Sequence, residues 1–287
     1  MAGLPLVSSA AVVGYWSFDD GLPTSTAGTL SSSVNSPALD GAASNSGTGS
    51  TKPVFSNQMP GVEIQGSAGG ATLNPSNGAA LYFTNPDAPG NLNGTSGGRV
   101  DILDSGAGSP LKLESFTIEG FIKVEDFVNF AAIFTKNRVD ANGSTWMIDT
   151  DNAGHLRARF DSQPLGSGNG TTGFNQSFIG TSALINDGLW HHIALTYDGP
   201  TRAANLYVDY ARVAGGTVIN PLVYDNSALR FGSSGGGRGF DGYMDEVRLS
   251  DTALAPTEFL SAVPEPSVVS LAMLGALVLG MHRRRRS

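Results

Sequence analysis

Phe116-Thr-Ile-Glu-Gly-Phe-Ile-Lys-Val124 decides how the rest of the 287-residue chain is read. Phe116, Ile118, Ile122 and Val124 fall on one side of an extended backbone. Thr117, Glu119 and Lys123 fall on the other, where Phe121 is the one apolar exception. Alternation with a period of two, carried by β-branched and aromatic residues, is the pattern of a half-buried strand. Downstream, Gly188-Leu-Trp-His-His-Ile-Ala-Leu-Thr-Tyr-Asp-Gly199 and Gly242-Tyr-Met-Asp-Glu-Val-Arg-Leu249 have the same extended character. Shorter runs of this kind lie at 11–18, 80–83, 99–103, 131–134, 145–148, 155–160, 205–209 and 229–231. Many short strands separated by turn residues, with no long amphipathic helix, predict an all-β, two-sheet antiparallel sandwich. Pro256 and Glu258 predict a short closing helix through Leu260. Residues 22–60, dominated by Ser, Gly, Thr, Asn and Ala, read as a long surface excursion with little core of its own.

Composition agrees with this architecture. Hydrophobic residues make up 40% of the chain, enough for a sizeable core and too much for wholesale disorder. Thirty-eight glycines beside only 15% charged residues predict tight turns in place of exposed helices. The formal net charge of −8 is unevenly distributed, because four of seventeen basic residues are Arg283 to Arg286. The body of the chain is therefore more acidic than the total suggests, and nucleic acid is not an expected partner. Such an acidic surface keeps a protein in solution and is also compatible with divalent cations. With no cysteine, disulfides, thiolate zinc sites and cysteine nucleophiles are excluded.

The C-terminus has three parts in order. Pro264-Glu265-Pro266 comes first, then an apolar run at 268–281, then a basic end at 282–287 with Arg283, Arg284, Arg285 and Arg286. As a helix the run spans about 21 Å, short of the ~20 residues that cross a bilayer comfortably. The arginines would hold their own end in the cytoplasm. This arrangement over 263–287 resembles the PEP-CTERM sorting signal of Gram-negative bacteria. The resemblance implies recognition by an exosortase-type processing enzyme, cleavage near the motif, transient membrane contact through the tail, and a secreted or cell-surface product. An ordinary short membrane anchor is the alternative. At the other end, Ser8-Ser9-Ala10 reads like the small-residue end of a signal peptide, so residues 1–10 are expected to be its remnant.

Five segments also resemble the laminin-G-like jelly roll of the concanavalin A-like lectin/glucanase superfamily. They are Tyr15-Trp16-Ser17-Phe18-Asp19-Asp20-Gly21, Phe116-Thr-Ile-Glu-Gly-Phe-Ile, Trp190-His-His-Ile-Ala-Leu-Thr-Tyr-Asp-Gly199, Leu206-Tyr-Val-Asp209 and Phe240-Asp-Gly-Tyr-Met-Asp-Glu-Val-Arg-Leu249. Together they place one such domain over 11–262. The resemblance implies a calcium site at Asp19, Asp20, Asp245 and Glu246, since members often bind calcium with acidic groups at these positions. Strict alternation puts Asp245 on the face of Tyr243, Val247 and Leu249, where a carboxylate needs a hydrogen bond, an ion pair or a cation. The alternative is that Asp245 accepts bonds from turn amides while Glu246 and Arg248 form a surface pair.

The remaining candidates read as structural. Asp149-Thr-Asp-Asn-Ala-Gly154 lacks the later glutamate of a calcium loop and predicts a hairpin turn. His191 and His192 point to opposite faces of a strand and cannot chelate one ion together. Trp16, Trp146 and Trp190 are expected in the core rather than as sugar platforms. Glucanases of the superfamily carry a Glu-x-Asp-x-x-Glu strand, and that triplet is missing here. The reading is a non-catalytic extracellular binding or adhesion protein for glycan or matrix material. A matrix component without a defined ligand is the alternative, and a polysaccharide hydrolase the more distant one.

Overall fold

The computed structural model describes residues 10–263 except 48, 61–62, 66, 69–70, 73–77, 87, 89–96, 139–142, 165–175 and 236. Residues 1–9, Pro264-Glu265-Pro266, the apolar run expected to form a short C-terminal helix, and Arg283 to Arg286 lie outside them.

Two antiparallel sheets of eight strands stack into a sandwich. In the first sheet the order is Ala211–Thr217, Ala203–Val208, Trp190–Asp198, Phe116–Val124, Gly242–Ser250, Ala80–Phe83 and Val54–Ser56, with Val12–Trp16 also paired to Gly242–Ser250. In the second it is Gln176–Leu184, His155–Phe160, Gly143–Thr150, Ala132–Arg138, Leu229–Phe231, Gly97–Ile102, Gly41–Ser46 and Thr29–Leu30. Two small ribbons pair Glu63–Gln65 with Ser261–Val263 and Ser67–Ala68 with Ala71–Thr72.

Alternation works as read at the central strand. Phe116, Ile118, Ile122 and Val124 enter the main core, where each large side chain contributes roughly 1.5–3 kcal/mol. Trp16 and Trp146 are buried there too. The Trp16 ring meets Phe231 edge-on at 5.2 Å, and its Nε1 donates to the Leu39 carbonyl at 2.9 Å, so no polar atom is stranded.

Alternation fails at Asp245-Glu246. Glu246 has φ 52°, and the pairing of this strand with Phe116–Val124 slips between Glu119 and Phe121. The extra residue is a β-bulge, which reverses the phase of everything beyond it. Asp245 pairs opposite Phe121 on the outer face, whereas Val247 and Leu249 are in the core, so Asp245 does not share their face. Gly120 opposes the bulge, and a Cβ there would lie 3.1 Å from Val247 and 3.2 Å from Phe134. On its other side, the bulged strand changes neighbours at this point. Ala80–Phe83 pairs with Gly242 to Met244, and Val12–Trp16 with Val247 to Ser250.

Residues 22–60, expected as a surface excursion, supply three strands instead. Leu30, Leu39, Ala43 and Phe55 from this stretch are buried in the main core. Each strand contributes only one or two apolar side chains among serines and glycines, so no periodic run marks it. The closing helix is a single 3-10 turn, Pro256–Glu258. It stops short of Leu260 because the Leu260 amide donates to Glu119 Oε2 at 2.8 Å and not to a helical carbonyl.

Candidate binding site on the first sheet

The outer face of the first sheet has a closed half and an open half. On the closed half, Glu119 is fully buried and gathers three partners. Arg248 Nε donates to Oε1 at 2.6 Å, His192 Nε2 lies 2.9 Å from Oε2, and the Leu260 amide completes the set. Arg248 Nη2 also donates to the Glu258 carbonyl at 2.7 Å. Tyr210 stacks on the His192 ring at 4.7 Å, and its hydroxyl donates to the Leu260 carbonyl at 3.1 Å. A charge-assisted contact of this kind, with both carboxylate oxygens occupied, has little tolerance for misplacement. Its effect is to clamp residues 254–260 over the sheet.

On the open half, cross-strand register builds a row. Trp190 pairs with Lys123, Lys123 with Tyr243, and Tyr243 with Tyr82. Tyr82 and Tyr243 stack with centroids 4.7 Å apart, Trp190 follows at 6.2 Å, and the Lys123 ammonium sits 5.3 Å from the Tyr243 ring. Trp190 and Tyr82 keep part of their surface exposed. Lys123 Nζ donates to Gln58 Oε1 at 3.2 Å and pairs with Glu125 at 3.6 Å. Burial, then Asp241, Tyr243, Glu125 and Asp126, push the Tyr82 hydroxyl up to about 12, so it remains a donor at neutral pH. Tyr243 is itself buried between Tyr82 and Lys123, so the row presents Trp190 and Tyr82 to solvent, edged by hydrogen-bonding groups. Trp190, expected in the core, belongs to this row because Lys123 opposite it is an outer-face residue. No sequence pattern groups Tyr82, Tyr243 and Lys123 with Trp190, since only pairing of four separate strands brings them together.

The four acidic positions expected to hold calcium are distributed over several local contacts. Asp19 Oδ1 accepts the amides of Gly78 and Ala79 at 2.8 and 2.9 Å, and Asp20 Oδ1 accepts that of Ser31 at 3.1 Å. Asp245 Oδ1 accepts the Glu246 amide at 2.9 Å. Both Glu246 carboxylate oxygens are buried without a hydrogen-bond partner, and burial raises this carboxyl to about 8. Of the four residues, Glu246 is the one whose buried oxygens have no hydrogen-bond partner. Among the described residues no group of three or more His, Cys, Asp or Glu could hold a metal. The expected Glu246–Arg248 surface pair does not form: both residues are fully buried and Arg248 pairs with Glu119.

The other sequence candidates resolve locally. Asp151 caps its own hairpin turn by accepting the amides of Ala153 and His155 at 2.8 and 3.0 Å. His191 lies between Asp209 and Asp187, at 2.8 and 3.0 Å, while His192 faces Glu119.

Known structures share this architecture. Domain 4 of AbnA, a GH43 extracellular arabinanase from Geobacillus stearothermophilus, in complex with arabinotriose, superposes with a TM-score of 0.53 at 18% identity, covering 88% of this chain and 97% of its own. The binding domain of botulinum neurotoxin DC in complex with SialylT gives 0.51 at 11% identity, covering 88% of this chain and 50% of its own. A mutant of Trypanosoma rangeli sialidase displaying trans-sialidase activity gives 0.51 at 13%, covering 90% and 33%. At these identities the likeness is one of fold. No curated protein matches by sequence. The laminin G type of family model, described as the concanavalin A-like lectin/glucanases superfamily, matches residues 94–259. That match covers more than half of the chain, and the protein belongs to this superfamily.

Proposed function

We propose that this is a non-catalytic extracellular carbohydrate- or matrix-binding protein whose glycan lies on the Trp190–Tyr243–Tyr82 row. The row itself carries the reading. A pyranose or furanose presents an apolar face that packs on aromatic rings, and its hydroxyls find Lys123, Gln58, Glu125 and the tyrosine hydroxyls at the edge. Support from outside the chain comes from the arabinotriose complex of a domain with this fold.

Two further parts belong to the same proposal. Calcium would enter at Glu246, the one of the four acidic positions with unpartnered buried oxygens, and would displace its proton; Asp245, Asp19 and Asp20 would add oxygens only by leaving the amides they accept. The tail would be cut near Pro264-Glu265-Pro266 by an exosortase-type enzyme, releasing the domain from an inner-membrane intermediate to the surface of a Gram-negative cell.

Calorimetric titration against arabino- and other neutral oligosaccharides tests the central claim. Tyr82→Ala combined with Trp190→Ala should weaken binding at least tenfold while the fold, read by circular dichroism, persists. Undiminished affinity in the double variant, or release of reducing sugar by the wild type, would overturn it.

A further inference from the structure

The outer face of the second sheet has a different chemistry. Its core-facing residues alternate with Arg99, Asp101, Met147, Asp149, Arg157, Arg159 and Arg230, which therefore share the opposite side. Register aligns Arg159, Met147, Thr135, Arg230 and Asp101 in one row across five adjacent strands. Thr135, Met147 and Arg159 are buried in this row, and the partly exposed Arg157 and Arg230 lie on strands three spacings apart, about 14 Å.

Two carboxylates serve five guanidiniums there. Asp149, fully buried, is held by both ends of Arg157 at 2.8 Å, by Arg159 at 3.1 Å, and by Arg238 from the neighbouring loop at 3.3 Å. Asp101 accepts Arg99 at 2.8 Å, Arg230 at 2.5 Å and the Ser44 hydroxyl at 2.5 Å. These groups sum to three positive charges on a chain whose total is −8. Burial and the neighbouring Arg238 and Arg157 pull Arg159 down to about 10, the opposing influence of Asp149 notwithstanding. Phe130, with φ 60°, lies under Arg157 and Arg238 at 5.0 and 6.0 Å from its ring. Arg157, Arg99, Arg230 and Arg238 keep 12, 18, 24 and 33% of their side-chain surface exposed.

We propose that this face binds an anionic polysaccharide, its carboxylate or sulfate groups meeting the partly exposed Arg157, Arg238, Arg230 and Arg99. The inference rests on the carbohydrate-binding reading and adds a second, charge-selective surface to it. Planar guanidiniums suit bidentate recognition of such groups. A span of this length fits a repeating chain better than one small ion. The acidic remainder of the molecule disfavours a nucleic-acid backbone.

The test titrates the full chain, at low and physiological salt, with polygalacturonate (carboxylate), dextran sulfate (sulfate), unmodified dextran, neutral arabino-oligosaccharides and single-stranded DNA. Expected is salt-sensitive binding to one or both acidic polysaccharides, at least tenfold tighter than to dextran or DNA. Arg238→Gln, the most exposed of the five, should weaken it severalfold, and Arg157→Gln with Arg230→Gln more. Arg212→Gln, which removes an exposed arginine from the first sheet, should leave it unchanged. Equal affinity for dextran and dextran sulfate, DNA binding as tight as the polysaccharide, or equal losses from Arg212→Gln and Arg238→Gln would each overturn the inference. Neutral oligosaccharide binding without acidic preference would remove this surface alone. Binding to none of the glycans would remove both readings.

Discussion

The two sheets bury similar inner faces and treat their outer faces in opposite ways. On the first, Glu119, His192 and Arg248 are matched one against another and covered by residues 254–260. On the second, five guanidiniums converge on Asp149 and Asp101 and stay partly in contact with water. A dry network positions chain: Glu119 meets Arg248, His192 and the Leu260 amide, and the gain is a unique place for the closing segment. An unbalanced, wet one holds charge in readiness for something not made of this chain. The aromatic row lies on the same sheet as that dry network, on the half that the closing segment leaves open.

The sharpest break is Glu119→Ala. It leaves Arg248, His192 and the Leu260 amide buried without their shared acceptor, and should cost about 3–5 kcal/mol in urea unfolding. A loss below about 1 kcal/mol would show that the closed half is not a clamp. Glu246 on the bulge gives the next effect. Its folded-state carboxyl titrates near 8 against an ordinary 4.5, so between those values the native state holds more protons than the unfolded chain. Stability from this group is therefore greatest at low pH and falls as pH rises towards 8. At pH 8.5 Glu246→Gln should be more stable than wild type in chelator by about 3 kcal/mol. Millimolar calcium should erase that advantage if the ion binds there; an advantage unaffected by calcium would remove the calcium proposal.

Asp149→Asn sharpens the contrast from the other side. It takes away the carboxylate shared by Arg157, Arg159 and Arg238 and should destabilise by about 1–3 kcal/mol. Dextran sulfate should restore more thermal stability to this variant than to wild type; equal recovery would argue against anion binding at this face. The smallest effect belongs to His191, whose imidazole is raised by Asp209, against desolvation, and by Asp187. Its stabilising contribution is complete below the unfolded value of about 6.5 and fades as pH rises through the folded one. Both aspartates are largely in water, so Asp209→Asn should flatten this dependence by less than about 1 kcal/mol in thermal melts at pH 5.5 and 8.

Local pattern by itself determined the fold class and the central strands. A period of two along Phe116–Val124 needs no partner to be seen, because it follows from pleating of a single strand. The turn at Asp151 and the opposed orientations of His191 and His192 were legible for the same reason. Tertiary structure alone decided the rest. The bulge at Glu246 exists only as a mismatch with a neighbouring strand, and it moved Asp245 off the face that strict alternation assigned. Strands inside 22–60 carry too few apolar residues to announce themselves and are held by pairing. Trp190, Lys123, Tyr243 and Tyr82 come from four strands, and Arg99, Arg157, Arg159, Arg230 and Arg238 from three strands and a loop. Which of them meet depends on sheet order and register, quantities that belong to pairs of strands and are written in neither strand alone.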